Sequence, residues 1–396
     1  MESILLKDII QKPISGEWGL EDLYGTGIPV LRTANFTNEG IINFENVVTR
    51  NISSSKLKGK LLQKGDILLE KSGGSDKQPV GRVVYFDGQA DKYGFNNFTF
   101  ALRISDLTMW NPKYIFYALY ANYHHGGTRK YENKTTGLHN LKVDLFIRSF
   151  SVPYATLIKQ NEIVRKLDLL NHLENVCEVQ LQKLDELVKS RFIEMFGDPS
   201  KLNNFANAQI KDVASVGVGI VIKPTRFYSN DKSGKRAFRS LNIGPFGINP
   251  NSEWVYFTNE AMVENKRTIV HEGDVLIVRS GNPGTCCVVS KEYDGCNVID
   301  LIIARPDKSK ILPEYLCAFT NMPHGMNQIN NQKHGVAQRH FNVSMYEKMK
   351  IYIPNLSLQQ QYVNFMKQVD KSKMAVQKSL DELETLKKSL MQTYFG

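Results

Sequence analysis

The side chains best suited to chemistry on a polyanion sit in a few short polar stretches. Lys71-Ser72-Gly73-Gly74-Ser75-Asp76-Lys77-Gln78 follows an apolar run, and so does Arg279-Ser280-Gly281-Asn282. A second basic cluster runs from Arg129 and Lys130 through Lys134 and Thr135 to His139 and Asn140. Its looser counterpart spans 330–340 and carries Lys333, Gln338 and Arg339. Lys and Arg neutralise phosphates, whereas Asn, Gln and Arg can make paired hydrogen bonds to base edges. Any one of these loops is also what an ordinary solvated connection looks like. Their recurrence at matched places is what favours a nucleic-acid reading.

The usual catalytic constellations are missing. No GxxxxGK[ST] loop cradles a nucleotide phosphate, no GxGxxG follows a strand, and no HExxH pattern offers a metal. No NPPY-like or DPPY-like tetrapeptide marks an amino-methyltransferase; Asn249-Pro250-Asn251 and Gly217-Val218-Gly219 read as turns. Asp66 and Asp274 each follow a glycine and read as caps of a turn entering a strand, not as paired acids. Cys286 and Cys287 read as core thiols, and His124-His125 as part of a polar loop. Five cysteines without a CxxC pair point to reduced thiols and a cytoplasmic setting.

These stretches belong to a unit written twice. Leu6-Lys7-Asp8-Ile9 returns as Ile210-Lys211-Asp212-Val213, and Arg32-Thr33-Ala34-Asn35-Phe36 as Arg239-Ser240-Leu241-Asn242-Ile243. GDILLEKSG at 65–73 returns as GDVLIVRSG at 273–281, and Pro112-Lys113-Tyr114-Ile115 as Pro313-Glu314-Tyr315-Leu316. TTGLHNL at 135–141 corresponds loosely to HGVAQRHFN at 334–342. The matches keep one order while loop lengths drift. Runs such as 65–69, 81–86 and 98–102 are short, β-branched or aromatic, and bounded by Gly, Asn or Asp, so each unit is expected to be β-rich. Prolines at 112 and 313 open a short helix in each. The polar segment from Asp198 to Gln209 reads as the boundary between units.

Each unit closes with a long helix. From Leu157 to Gly197 the seam is Ile163, Leu167, Leu170, Cys177, Leu181, Leu184, Val188 and Met195, with Glu174 and Arg191 as polar breaks. From Leu356 to Gly396 it is Tyr362, Met366, Val369, Val376, Leu380, Leu383, Leu390 and Tyr394, broken by Lys373 and Lys387. Gly197 stops the first helix. Two such seams are most simply buried against each other in antiparallel fashion. At about 1.5 Å per residue each helix is about 60 Å long, a ruler able to hold two reading heads one to two turns of DNA apart. Glu174 and Lys373 occupy the same repeat position and are expected to pair near the twofold. Leu169, Leu173, Leu187, Phe192, Leu386 and Phe395 lie off the seam and form a second apolar stripe for a partner protein.

The totals agree with this picture. The chain has 396 residues, enough for two cores, a formal charge of +10, and no apolar run of membrane length. Nor does its N-terminus carry a signal-peptide core.

The order of a GDIL or GDVL strand, a glycine-bearing loop, a Val152-Pro153 or Ile353-Pro354 step and a Gln-bearing helix start (Gln160; Gln359) resembles the specificity subunit of type I restriction-modification systems. FIEMFGDP at 192–199 is the most specific marker. The resemblance spans essentially the whole chain and implies an α+β fold. Target-recognition domains at 1–150 and 198–350 would each be followed by a coiled-coil spacer helix, at 151–197 and 351–396. It implies a non-catalytic chain whose two domains each read half of a bipartite, asymmetric site on double-stranded DNA. The helices would bind two modification (methyltransferase) subunits. S-adenosylmethionine would then belong to the modification partner, and ATP and magnesium to a restriction partner, so the chain itself would hold no cofactor and no metal. A stand-alone two-headed DNA-binding regulator, a fusion-type enzyme with its own methyltransferase, disfavoured by the missing motifs, and a scaffold that binds no DNA are the competing readings.

Overall fold

The computed structural model describes residues 2–135, 138–198, 205–222, 224–331 and 341–396. The chain packs as two compact units. The first is Met1–Glu178 with Lys378–Gly396, and the second is Val179–Gln377. Both long helices are continuous, Leu157–Phe196 (the central helix) and Leu356–Phe395 (the terminal helix). Each unit therefore owns one half of each helix.

The first unit is built on two four-stranded sheets. In one, Thr99–Leu102 runs antiparallel between Ile14–Ser15 and Ile67–Glu70, and Val83–Tyr85 closes the order. In the other, Ile28–Leu31 pairs antiparallel with Val48–Asn51 and parallel with Gly94–Phe95. Ile67, Leu68 and Leu69 are fully buried, so the strand is covered on both faces and reads as a continuous apolar run. Helix Pro112–His124 is capped by Asn111, whose side chain accepts from the Lys113 amide. It runs to His124, about three and a half turns in all, so His124 is helical.

The second unit repeats this plan. The orders Ala214–Val218, Leu301–Pro306, Val275–Val278, Cys286–Val288 and Tyr228–Ser229, Val255–Phe257, Lys235–Phe238, Asn297–Val298 match the first unit strand for strand, including the one parallel pair. Gly217 and Val218 thus end a strand instead of making the expected turn. The boundary segment also holds more structure than its polar sequence announced. Ala206–Gln209 pairs with Lys350–Ile353, as Ser3–Leu5 pairs with Ser151–Pro153. These strands are bound by backbone hydrogen bonds, which leave no apolar signature.

Buried polar devices are repeated with the same fidelity. Gln160 is fully buried; its side-chain oxygen accepts from the Asn111 amide, and its amide donates to the Met109 and Ala155 carbonyls. Gln359 does the same for Leu312, Lys310 and Pro354. Asp66 caps the turn at Gln63 and holds Arg103; Asp274 caps at His271 and holds Arg305. Both aspartates are structural caps, as the sequence implied. Asn35 and Asn242 each accept from the arginine amide three residues back. Cys286 and Cys287 are core residues, and burial pushes both thiols well above their ordinary pKa.

Within each unit the two helices run antiparallel. In the first, Ile163, Val164 and Leu167 share a core with Leu390, Met391 and Tyr394, and Glu174 bonds Lys387 further along. In the second, Val188, Phe192 and Phe196 meet Tyr362, Met366 and Val369, and Lys373 bonds Asp185. The expected Glu174–Lys373 pair is replaced by these two. Each charge finds its partner on the other helix, inside its own unit.

Candidate nucleic-acid interface

Strand Ser72–Gly74 leaves the core sheet and pairs with Leu138–Leu141, which pairs in turn with Glu132–Thr135. This three-stranded sheet brings the two basic stretches of the first unit together, although more than fifty residues separate them in the chain. Gly73 has φ 132°, and a Cβ there would sit 3.1 Å from Glu70 Oε1, so glycine is required where the strand turns over the core.

The candidate residues divide by environment. Ser72 and His139 are buried: Ser72 Oγ donates to Asn140 Oδ1 at 2.5 Å, and His139 Nδ1 lies 3.3 Å from Glu132 Oε2. They fix the sheet and do not reach outward. Lys71 lies over the Phe100 ring at 5.7 Å, and Lys130 over Tyr131 at 5.1 Å. Gln78 donates to the Asn38 side chain. Lys77, Arg129 and Lys130 are exposed. The side chains of Lys134 and Thr135 lie outside the described residues. His124, expected in a loop, ends a helix and contacts the Asn38 carbonyl at 3.1 Å.

Beneath this sheet lies a pair that sequence reasoning missed. Glu70 is buried and accepts from Arg82 Nε at 3.1 Å and Nη2 at 2.9 Å. Arg82 also donates to the Phe36 and Thr33 carbonyls. The signal was present in Ile67-Leu68-Leu69-Glu70: a carboxylate ending a fully buried strand must have a cation.

The second unit presents a different surface. Arg279 is a strut; its Nη1 meets Asp300 at 2.5 Å and its Nε donates to the Phe341 carbonyl. Its guanidinium is therefore committed within the fold. Ser280 is half-buried and Asn282 exposed on the turn that follows. Lys333, Gln338 and Arg339 lie outside the described residues.

On the helices, Leu169, Leu173, Leu187 and Leu386 are exposed. Phe192 is not a surface residue. It is fully buried against Phe196, Tyr315 and Tyr362. Phe395 is half-buried with its ring 5.1 Å from Tyr114. Near its globular unit a helix is covered on two sides, by the other helix and by the unit, so the buried stripe is wider than the seam. Leu187 and Leu386 are repeat equivalents with 46% and 47% exposure.

Residues 203–385 match the family model described as type I restriction modification DNA specificity domain. Over that stretch the chain carries a type I restriction modification DNA specificity domain. Among solved structures, the type I restriction-modification S subunit from M. genitalium superposes with a TM-score of 0.58 at 13% identity, covering 100% of this chain and 96% of that one. A chain from a study of complex assembly and conformational transition of the type I R-M system gives 0.60 at 16% identity, over 100% and 97%. At such identities these two likenesses speak for the fold alone. Among the described residues no helix is long and apolar enough to cross a membrane, and no cluster of His, Cys, Asp and Glu could hold a metal ion.

Proposed function

We propose that this protein is the DNA-reading subunit of a type I restriction-modification complex, with each unit reading one half of a bipartite site. The observation that carries the reading is duplication with divergence. The two frames agree down to single hydrogen bonds, whereas the polar faces built on them differ. In the first unit the exposed cations Lys77, Arg129 and Lys130 rim a sheet stiffened by Ser72, Asn140 and His139. Phosphate contacts from the rim supply affinity, and we assign base-edge contacts to the side chain of Gln78. Asn282 is the matching group of the second unit. Because the faces differ, the half-sites differ.

The partner reading rests on Leu187 and Leu386. Identical, equally exposed leucines at equivalent positions are what two copies of one partner would require, and we assign them to two modification subunits, with Leu169 and Leu173 as flanking contacts. S-adenosylmethionine and the methyl transfer belong to those partners, and ATP and magnesium to a restriction partner. This chain supplies orientation. Methylome sequencing of a host expressing the chain with its modification subunit tests the whole reading. A methylated motif of two dissimilar half-sites is expected, and a single contiguous motif would refute it.

A further inference from the structure

Beyond the reading face, each unit carries a recess at the opposite end of its central strand. In the second unit it is lined by Gly217, Val218, Lys266, Arg267, Ile269, His271, Ile303 and Arg305, with a volume of about 570 Å³. The floor is apolar and the rim cationic. Lys266 and Arg267 are exposed on a tight turn, Lys266–Thr268. Arg305 is held from below: its Nε lies 3.4 Å from the Asp274 carboxylate, and its Nη2 donates to the Ile269 carbonyl at 3.0 Å. Its Nη1 makes no hydrogen bond within the described residues. His271 faces Asp294 at 3.2 Å and is already engaged.

The first unit has the same recess, altered. Lys58, Gly59, Leu61, Gln63 and Arg103 stand where the second has Lys266, Arg267, Ile269, His271 and Arg305. Arg103 is held alike, by Asp66 at 2.7 Å and by the Leu61 carbonyl at 3.2 Å. Glycine replaces Arg267, however, and Asp91 enters the lining. Three cations without a lining carboxylate face two cations with one.

We propose that the recess of Lys266, Arg267 and Arg305 is a phosphate site, and that the recess of Lys58 and Arg103 is its weakened copy. A guanidinium fixed on two of its nitrogens with the third free is pre-organised for an oxygen of a tetrahedral anion. Apolar walls concentrate the field of the two flanking cations. A fully hydrated polar surface would not need Arg305 and its counterpart Arg103 each anchored on a carboxylate and a carbonyl. The phosphate can come from the DNA backbone or from a free phosphate. The first source rests on the DNA-reading function proposed above, and the second does not.

The test uses the full chain assembled with its modification partner. Binding to a cognate and a scrambled duplex is followed by fluorescence anisotropy across a salt titration, for wild type, for K266Q/R267Q and for K58Q. Inorganic phosphate is titrated calorimetrically into the same proteins. The substituted residues are exposed, so folding is not at issue. For a backbone phosphate, K266Q/R267Q binds both duplexes about tenfold more weakly, with a log–log salt slope shallower by about 1 to 2. K58Q changes affinity less than about threefold on the same basis. Loss of inorganic phosphate binding with unchanged DNA affinity assigns the site to a free phosphate. Unchanged DNA affinity, salt slope and phosphate titration together overturn the site. A wild-type complex that does not distinguish cognate from scrambled duplex overturns the DNA-reading proposal instead, and the phosphate titration still decides the recess.

Discussion

The first and second units solve one problem with the same frame and different chemistry at the strand end. In the first, Ile67–Glu70 ends in a carboxylate, and Arg82 both neutralises it and ties down the turn at Thr33 and Phe36. In the second, the matched strand ends in Val278, Thr285 stands where Arg82 does, and Arg279, where the first unit has Lys71, is the residue that takes a carboxylate, Asp300. Positions that satisfy buried backbone groups are therefore kept, because nothing else in the core can replace them. Positions that only need to be compensated are free to change partners. This freedom separates the surfaces that read from the frame that holds them.

The largest expected effect breaks that difference directly. Glu70→Ala leaves Arg82 with its charge uncompensated and costs the first unit about 3–5 kcal/mol. Denaturant unfolding should show the loss in the first unit's transition only. Copying the second unit with E70V/R82T removes both charges and should recover most of the loss. A double variant as unstable as Glu70→Ala would show that the pair is not interchangeable with an apolar end.

The next tests the shared frame. Gln160→Leu and Gln359→Leu each remove the partner of one backbone amide and two backbone carbonyls, at about 2–4 kcal/mol. The two losses should agree within about 1 kcal/mol; a wide disparity would mean that the frames match in geometry but not in energy.

A smaller contrast lies on the helices. Glu174–Lys387 is largely shielded, with side-chain exposures of 14% and 20%, whereas Asp185 opposite Lys373 is 58% exposed. A double-mutant cycle should give a coupling of about 1–2 kcal/mol for the first pair and under about 0.5 for the second. Equal couplings would remove burial as the cause.

The smallest concerns pH and the second unit. His324 is buried among Phe192, Phe319 and Tyr352, and its Nε2 donates to the Gly197 carbonyl at 2.8 Å. Among the described residues its Nδ1 has no hydrogen-bond partner, and burial holds its pKa below the ordinary histidine value. The folded state therefore resists a proton that the unfolded chain accepts. Stability from this group is complete above about pH 6.5 and falls as pH drops below it. His324→Phe should flatten that acid limb of the second unit's stability; an unchanged limb would exclude the group.

The sequence was legible wherever burial imposes a period. The helix seams, the GDIL and GDVL strands, and the caps at Asp66 and Asp274 all follow from apolar spacing and turn chemistry. It was opaque where a residue's role depends on a neighbour distant in the chain. Arg279 and Arg129 look alike as basic loop residues. Only the position of Asp300, held 21 residues further on, makes one a strut and leaves the other exposed. Phe192 misled for a related reason, since a coiled-coil pattern says nothing about the Tyr315 ring that covers it. Ser72 and His139 read as contact residues of polar loops; their burial depends on the sheet that the strand at 132–135 completes.

The division of the long helices between units bears on the order of events at the ribosome. Every residue of the second unit lies between 179 and 377, so its core is complete before residues 378–396 are made. The first unit lacks Leu390, Met391 and Phe395 until then. Translation at about 5–20 residues per second leaves its apolar edge uncovered for on the order of tens of seconds. The part synthesised first is therefore the part finished last, and during that interval it is the natural client for a chaperone.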